Sequence, residues 1–311
     1  MALTLTEGEL YSQTEIQRAV IDRLTKDSPI LKKLKFVTLL GNSLTYDTIT
    51  TDSGAASYAV GDTWVESTPS ITQATATLKI LGGDADVDNF LLATRANKID
   101  LKGTVLENKT KAVQYKFLDL FYYGDATANT KDFSGLQVLL SSTSYNTVHA
   151  GSGTGTALSV AKLREALDLF RGFSPEVLVM TRKMRRGMGV YLDSIGDKFP
   201  TGRDEWGKPV EFWDGIPIVI DDHIVDTETA ASGAYTAKTG GANTSIFALN
   251  FEEQAVCGLH SGQGVQVVPI GELETKDATR HRIKWYCSMM FQDLRSSIKV
   301  DGIVAAGTVT A

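Results

Sequence analysis

The spacing of apolar residues divides the chain into segments with different patterns. Near the N-terminus, Ile16, Val20 and Leu24 recur every four residues among charged positions, which predicts a short amphipathic helix that Pro29 ends. Residues 36–83 are instead rich in Thr, Ser, Val, Ile and Tyr, and their second half largely alternates. This pattern predicts two long strands around a tip of small residues, an extended hairpin. Because an isolated hairpin is marginal in water, it needs another surface to lie against.

The longest helical pattern follows a predicted acidic turn at 84–88 and runs from about Asp88 to Tyr123. Apolar side chains recur there at helical spacing and form one face. The members of this face are Ile99, Leu106, Val113, Phe117, Leu120 and Phe121. Gly103 weakens the helix locally, so we expect either a continuous helix or a break near that residue.

Helical and strand patterns alternate over residues 125–255, which predicts an α/β unit. One predicted helix precedes a buried strand at 175–181 and another follows it. Two short strands flank a turn at Asp214 and Gly215. Residues 256–304 are strand-rich again, and the long helix has the large apolar face that these strands need. The chain is therefore predicted to form an α+β protein of two discontinuous domains, one of them built from both ends of the chain.

Composition limits the class of protein. The chain has 311 residues, of which 42% are hydrophobic and 22% charged, so it can bury a sizeable core and is not disordered, collagen-like or disulfide-stapled. No stretch approaches the roughly 20 apolar residues of a membrane helix, and the first residues lack the pattern of a secretory signal. Cys257 and Cys287 lie in apolar sequence and are interpreted as small buried side chains.

Charge is distributed unevenly. The net charge is −6, which argues against a protein that coats nucleic acid. The hairpin segment has no Lys or Arg from Phe36 to Leu78, and four acidic residues give it a charge of −4: Asp47, Asp52, Asp62 and Glu66. Between Arg95 and Tyr123, six basic and three acidic residues give +3. Lysines recur there every seven residues and predict a basic stripe: Lys102, Lys109 and Lys116.

This complementarity predicts a contact between subunits. The acidic hairpin of one copy would lie across the basic stripe of a neighbour, with Trp64 among its apolar contacts. The alternative is that both sets of charges merely solvate their own surfaces.

Candidate chemistry is sparse. The four histidines are scattered, with no HExxH and no pair at ligand spacing: His149, His223, His260 and His281. Residues 151–156 resemble a phosphate loop superficially but lack its GKS or GKT end, and no GxSxG elbow supports a nucleophile. We therefore predict no catalytic, cofactor or metal site and no enzymatic activity.

One basic run and two tryptophan-containing stretches remain. The basic run is either a helix face paired within the chain or a patch for nucleic acid or an acidic partner: Arg182, Lys183, Arg185 and Arg186. The stretches at 205–213 and 283–287 are interpreted as core and interface packing. A protruding arm, a hairpin and a long helix are stable when another subunit covers them, which favours obligate self-assembly.

The order of these elements resembles that of the major capsid proteins of tailed phages with the Hong Kong 97-like fold. Four stretches carry the likeness: the exit of the long helix at 116–136, a buried strand and helix at 176–188, a hairpin with Gly-Ile-Pro at 207–224, and the closing strands at 282–303. The likeness spans nearly the whole chain through the order of its motifs.

The resemblance implies a division of the chain into named parts. They are an N-terminal arm at 1–35, an extended E-loop hairpin at 36–83, the spine helix of a P-domain at 84–124, an A-domain at 125–255, P-domain strands at 256–293, and a C-terminal strand at 294–311 that returns to the A-domain.

The resemblance also implies a function. A major capsid protein of this class assembles from hexamers and pentamers of itself into an icosahedral head, without a membrane, and encloses double-stranded DNA without sequence specificity. It would assemble in the host cytoplasm, reside in the virion, and work with a portal and in some cases a decoration protein. Two alternatives stay open: an encapsulin-type nanocompartment that encloses cargo enzymes, and a motif-poor soluble α/β enzyme.

Two features depart from the family pattern. The sequence starts almost at the arm, so assembly is expected to use a separate scaffolding protein or to follow removal of a scaffolding segment. Some members form isopeptide cross-links from a lysine of the E-loop, whereas no lysine lies between Lys35 and Lys79 here.

Overall fold

Two β-sheets share one long helix, and this arrangement organises the chain. The structure is a computed structural model that describes residues 3–4, 28–51, 53–68, 70–95, 101–142, 145–151, 155–203, 207, 209–229 and 237–310. Most of the helix predicted near the N-terminus lies outside these residues.

Six helices and sixteen strands are found in the described residues. The helices are α1 Pro29–Lys33, α2 Asn89–Arg95, α3 Leu101–Tyr123, α4 Leu136–Leu139, α5 Val160–Asp168 and α6 Arg182–Ser194. The first eight strands are β1 Leu3–Thr4, β2 Lys35–Leu39, β3 Ser43–Thr51, β4 Ser70–Thr77, β5 Lys79–Asp88, β6 Thr147–His149, β7 Leu158–Ser159 and β8 Val177–Met180. The remaining strands are β9 Thr201–Arg203, β10 Pro209–Trp213, β11 Ile216–Ile220, β12 Asn243–Leu249, β13 Val256–Leu273, β14 Lys276–Phe291, β15 Ile298–Val304 and β16 Val309–Thr310.

The first sheet has five strands in the order β1-β2-β13-β14-β5. Its two long strands, β13 and β14, pair antiparallel and are late in the sequence, whereas β2 and β5 come from either side of the hairpin. Along β14, Ile283, Trp285 and Cys287 are fully buried, while the residues between them are only half-buried. This period of two is expected where one face of a sheet is packed on the core.

Helix α3 covers the buried face of this sheet. The ring of Phe117 stacks on that of Trp285 with their centroids 4.6 Å apart, and Phe36 of β2 lies 5.7 Å from the same indole. Val113 and Phe121 are buried in the same cluster. The prediction that the late strands pack on the apolar face of the long helix is confirmed.

The second sheet has seven strands in the order β6-β15-β12-β8-β11-β10-β9. Strand β15, from near the C-terminus, lies between β6 and β12. Leu178 and Met180 of β8 pack in the cluster that contains α5 and α6, whereas Val177 and Val179 pack in the cluster that contains α3. Because both faces are covered, β8 is a continuous apolar run.

Several predicted elements are confirmed. The buried strand at 175–181 contains β8, and the helical patterns that flank it are α5 and α6. Strands β10 and β11 form the predicted pair around Asp214 and Gly215, whose φ angles of 46° and 82° suit a tight two-residue hairpin.

Pro29 begins a helix, whereas the sequence pattern placed it at the end of one. It occupies the first turn of α1, where a proline loses no hydrogen bond. The hydroxyl of Ser28 accepts a hydrogen bond of 3.3 Å from the backbone N–H of Leu31 and caps the helix.

The acidic segment at 84–88 is a strand, so the prediction of a turn is wrong. Asp84 and Asp86 lie opposite Arg282 and Arg280 of β14 and form bidentate ion pairs with them. The carboxylates of this acidic run are paired with arginines of the neighbouring strand. Because these cross-strand ion pairs neutralise them, the run can form an edge strand.

The hairpin and the long helix also have bounds that differ from the pattern. The hairpin strands are β3 and β4 alone, because β2 and β5 of the predicted 36–83 segment belong to the five-stranded sheet. Gly103 lies inside α3, and α2 is a separate helical segment before residues 96–100, which are outside the described residues.

Replacing Trp285 by alanine tests the shared core. The buried ring leaves a cavity against Phe117, so we expect Trp285→Ala to lower the free energy of unfolding by about 3–5 kcal/mol. Trp64→Ala is the matched control: its ring is 78% exposed, and the expected change is below about 0.5 kcal/mol. Urea denaturation of the unassembled chain measures both. Equal losses for the two variants would contradict the central position of Trp285.

Candidate subunit-contact surfaces

Among the described residues, the part of the hairpin that joins a buried cluster is its base. Strands β3 and β4 pair from Ser43 opposite Thr77 to Thr51 opposite Ser70. Close to the sheet, Ala76 is buried in a small cluster with Cys257 and Leu259 of β13, and Tyr46 packs against this cluster. Burial raises the pKa of the Tyr46 hydroxyl, so this group stays neutral and serves as a packing group.

The hairpin tip has its own local structure. The rings of Tyr58 and Trp64 stack with centroids 4.4 Å apart, and the backbone N–H of Val65 donates a 3.0 Å hydrogen bond to the hydroxyl of Tyr58. A carboxylate oxygen of Asp62 accepts a 2.6 Å hydrogen bond from the backbone N–H of Ala59. These contacts fix the tip before any partner is present, which reduces the entropy that binding must remove.

Three apolar side chains at this tip are exposed: Val60, Trp64 and Val65. We call them the tip patch. No other part of the described chain covers them, although the stacked Tyr58 holds the indole of Trp64 in place. Asp62 and Glu66 lie beside them in the sequence and are themselves exposed. A clustered, ordered and exposed apolar patch with acidic residues at its border is typical of a protein-binding surface.

The basic stripe of Lys102, Lys109 and Lys116 runs along α3. The end of the Lys109 side chain passes Gly83 so closely that a Cβ at this glycine would lie 2.3 Å from the Cε of Lys109. Lys116 lies 3.7 Å from Asp132. Burial, and secondarily the charge of Lys102, lower the pKa of His281 on β14. The stripe therefore follows the flank of the helix that borders the five-stranded sheet.

A recess of about 610 Å³ opens where Lys109 crosses the edge strand β5. We call it the edge recess. Its lining includes Ile80, Gly83, Lys109, Arg282, Lys284 and Tyr286. Ile80 is 78% exposed and gives the recess an apolar border. The absence of a side chain at Gly83 provides the passage for Lys109.

The edge recess has a net positive charge. Arg282 is matched by Asp84, with nitrogen-oxygen distances of 2.5 and 2.8 Å, and these hydrogen bonds lower the pKa of that carboxyl. Lys109 and Lys284 form no ion pair with any other residue that the structure describes. Two lysines are thus available to an acidic partner.

The basic run at the start of α6 is largely paired within the chain. Arg182 forms a bidentate pair with Asp222 at 2.7 and 2.8 Å, and this contact raises the pKa of the guanidinium. Lys183 lies 2.8 Å from Asp226, and Arg185 pairs with Glu211. Arg186 instead borders a groove of about 380 Å³ between α6 and β9–β10. Most of this positive charge is therefore matched within the chain.

The described residues do not bring the candidate chemical groups together. Among them, no three His, Cys, Asp or Glu side chains could hold one metal ion. His223 packs 5.2 Å from the ring of Tyr115, and Cys257 and Cys287 are both free and buried, as interpreted from the sequence. Trp213 and Trp285 are core residues, and Trp206 lies outside the described residues.

Sequence reasoning missed two charged arrangements. The ion pairs of β5 with β14 follow from two alternating patterns, Asp84-x-Asp86 and Arg280-x-Arg282, which fall in register only once the strands pair. A buried polar cluster around Glu228 also went unnoticed. Its signal is a lysine and an aspartate inside the otherwise apolar strand β15.

The fold is found in known shell proteins. An encapsulin, SrpI of Synechococcus elongatus PCC 7942, superposes with a TM-score of 0.65 over 91% of both chains at 16% sequence identity. The capsid of a native GTA particle gives 0.60 at 14% identity, covering 88% of this chain and 90% of that one. A chain from the structure of Mycobacterium phage Bobi gives 0.58 at 11% identity over 91% of both chains.

The chain has the Hong Kong 97-like fold. The matches cover 88–91% of the chain. No protein-family model matches the sequence, and neither does any curated protein. None of the described helices is long and apolar enough to cross a membrane.

Proposed function

We propose that this chain is the major capsid protein of a tailed double-stranded DNA phage, which self-assembles into the icosahedral head. The observation that carries the proposal is the tip patch. A tryptophan and two valines are held at the end of a hairpin in contact with water, where they bury little apolar surface within a single chain. Burying one such side chain in a neighbour is worth about 1.5–3 kcal/mol.

The edge recess and the basic stripe are the proposed receiving surface. The tip patch would pack against Ile80 and Tyr286, while Asp62 and Glu66 approach Lys109 and Lys284. Further along, Asp47 and Asp52 would face the remaining lysines of the stripe; Asp52 lies outside the described residues. Each exposed ion pair contributes only about 0–1 kcal/mol, so charge sets register and steers association while apolar burial provides most of the affinity.

A contact of this kind propagates because donor and receiver are different surfaces of the same chain. Such head-to-tail contacts close into rings when the rotation between copies fits, which is the requirement for hexamers and pentamers. We propose the same partners as the resemblance implies: a portal, a separate scaffolding protein and in some heads a decoration protein. Assembly would take place in the host cytoplasm, and the product would be the virion.

The proposed head encloses DNA without gripping it. The net charge is −6, and three of the four cations in the densest basic run are paired with carboxylates. A basic lining would bind phosphate groups with steep salt dependence, whereas a weakly charged lining lets DNA slide during packaging. In this proposal the chain is structural and catalyses no reaction.

A second candidate is an encapsulin-type nanocompartment shell. It is favoured by the superposition on the SrpI encapsulin, whose TM-score of 0.65 exceeds those of the phage capsids reported above. Both candidates use the same self-assembling subunit and differ in what the shell encloses.

Removing the indole at the tip tests self-assembly. Trp64→Ala should raise the protein concentration at which particles form by about 10- to 100-fold, because each particle contact loses roughly 1.5–3 kcal/mol. Light scattering against concentration measures this threshold. Thr72→Ala, on the exposed part of β4, is a matched hairpin control that should assemble normally. Particles that form equally well with Trp64→Ala would remove the tip patch from the interface.

A charge swap tests the proposed receiving surface. Changing Lys102, Lys109 and Lys116 to Glu should impair assembly at low salt. Changing the four hairpin acids to Lys in the same chain should partly restore it, because opposite charges then face each other again. Those acids are Asp47, Asp52, Asp62 and Glu66. Sedimentation velocity gives the particle fraction. Normal assembly of the triple Glu variant at low salt would show that the stripe makes no such contact.

The contents of purified particles distinguish the two candidates. For a phage head produced with its native partners, we expect nuclease-resistant double-stranded DNA after nuclease treatment of the intact particles. A nanocompartment would instead retain one or a few co-purifying proteins in molar proportion to the shell. Nucleic-acid absorbance and mass spectrometry of the same particles measure both, and nuclease-treated, disrupted particles serve as the control.

A further inference from the structure

A buried carboxyl group joins three parts of the fold. Glu228 follows β11 on the connection to β12, and its side chain has no exposure to solvent. Three side chains donate hydrogen bonds to it: the hydroxyl of Tyr123 at 2.5 Å, the hydroxyl of Ser245 at 2.5 Å and the amide nitrogen of Gln137 at 3.2 Å. These donors come from α3, β12 and α4. None of these four residues belongs to the tip patch or lines the edge recess.

Charged groups lie on the neighbouring strand. Lys299 of β15 is fully buried, and its ammonium donates to the side-chain oxygen of Gln137 at 3.0 Å and to the backbone oxygen of Gln137 at 3.3 Å. Its third proton faces Asp301, with Nζ 3.4 Å from the carboxylate. A ring nitrogen of His149 on β6 contacts the other oxygen of Asp301. The His149 side chain, 26% exposed, is the part of this network nearest to water.

The charge balance of this cluster depends on Glu228. The groups that face it are Tyr123 from α3, Gln137 from α4, Ser245 from β12, Lys299 and Asp301 from β15, and His149 from β6 behind Asp301. Lys299 and Asp301 neutralise each other, so with neutral His149 the cluster is neutral when Glu228 is protonated. When Glu228 is ionised, one negative charge remains buried with hydrogen-bond donors but, among the described residues, with no cation in contact, which is costly in a dry interior.

The carboxyl group of Glu228 gains or loses its proton within the pH range in which the protein can be studied. Burial raises the pKa of Glu228 from 4.5 to about 7, and the charge of Asp301 adds to this rise, while hydrogen bonds from Ser245 and Tyr123 and the charge of Lys299 lower it. The proton is therefore gained or lost close to neutral pH.

Tyr123 connects this equilibrium to the architecture. It is the last residue of α3, and its hydroxyl donates to Glu228 while it accepts a 3.0 Å hydrogen bond from the backbone N–H of Val225. Glu228 is also paired through its backbone with Asn243 at the start of β12. One carboxyl thus ties the end of the long helix to a connection and a strand of the seven-stranded sheet.

We propose that Glu228 is a proton-operated latch between the last turn of α3 and the seven-stranded sheet. It is closed when its carboxyl is protonated, with Oε2–H donating to the hydroxyl oxygen of Ser245 and Oε1 still accepting from Tyr123, and it is loosened when the proton leaves. The latch fastens the end of α3, the helix that also packs on the five-stranded sheet, to the seven-stranded sheet. This proposal concerns one chain and holds whether or not the chain forms shells.

The sign of the pH dependence follows from the direction of the shift. Between the ordinary pKa of 4.5 and the raised value of about 7, the closed state binds more protons than a state in which Glu228 reaches water. Stability of the closed state therefore falls as pH rises through this window and levels off above it. From about pH 6 to about pH 8, the equilibrium constant for opening should increase about tenfold.

Hydrogen exchange with mass spectrometry tests the latch. In the wild-type chain, protection of the last turn of α3 and of residues 221–229 should fall about tenfold from about pH 6 to about pH 8, after correction for the intrinsic rate. Glu228→Gln keeps the shape and stays neutral, so it should retain full protection at both pH values. Glu272→Gln, an exposed acid on β13, is the matched control and should behave as wild type.

Two further variants separate the alternatives. His149→Asn should leave the pH response in place, because Glu228 carries the proton. Tyr123→Phe keeps the ring and should lower protection at both pH values. A protonated-carboxyl band in infrared difference spectra between these pH values should be present in the wild type and absent in Glu228→Gln.

The proposal is overturned if Glu228→Gln retains the wild-type pH response, if the response vanishes in His149→Asn instead, or if the wild type shows none. All measurements can be made on unassembled chains. A chain that never forms particles but shows the response would refute the proposed function and leave the latch intact.

Discussion

The packing of helix α3 between two sheets is the interaction on which the rest of the structure depends. One side of the helix places Phe117 against Trp285 of the five-stranded sheet, and its last turn places Tyr122 5.5 Å from Phe247 of the seven-stranded sheet. A single core therefore contains residues from both sheets. The strands β2, β5, β13 and β14 come from distant parts of the sequence, so bringing them together costs chain entropy. Burial of their apolar side chains against the helix offsets this cost.

The same core determines which elements remain unsupported. The hairpin leaves the five-stranded sheet between β2 and β5, and only its base reaches a buried cluster. Its tip is nevertheless ordered by the Tyr58–Trp64 stack and by backbone hydrogen bonds, so its apolar side chains stay in water at a fixed geometry. A single chain therefore has a buried core of its own but leaves an ordered apolar patch in contact with water. Ordered assembly requires this combination.

Elements with long, regular patterns could be predicted from sequence, whereas those set by distant partners could not. Helix α6 follows from its own periodicity and strand β8 from its continuous apolar run, and the packing of the late strands on α3 follows from the apolar face left uncovered. The acidic strand at Asp84 and Asp86 depends on arginines almost two hundred positions away. The charges of the stripe were evident in the sequence, but the recess beside Gly83 depends on how the helix meets the sheet edge.

The two charge systems of this fold act by different physics because water reaches only one of them. Around the edge recess, solvent screens the lysines, so in the proposed contact the pattern of charge would matter more than any single ion pair. Around Glu228, which is fully buried, no solvent is available to compensate a lost proton, and the hydrogen-bond donors belong to neighbouring side chains that are buried with it. Surface charge can therefore orient neighbouring subunits without changing their interior. The proposed latch would change the interior through a single buried proton and leave the surface charges as they are.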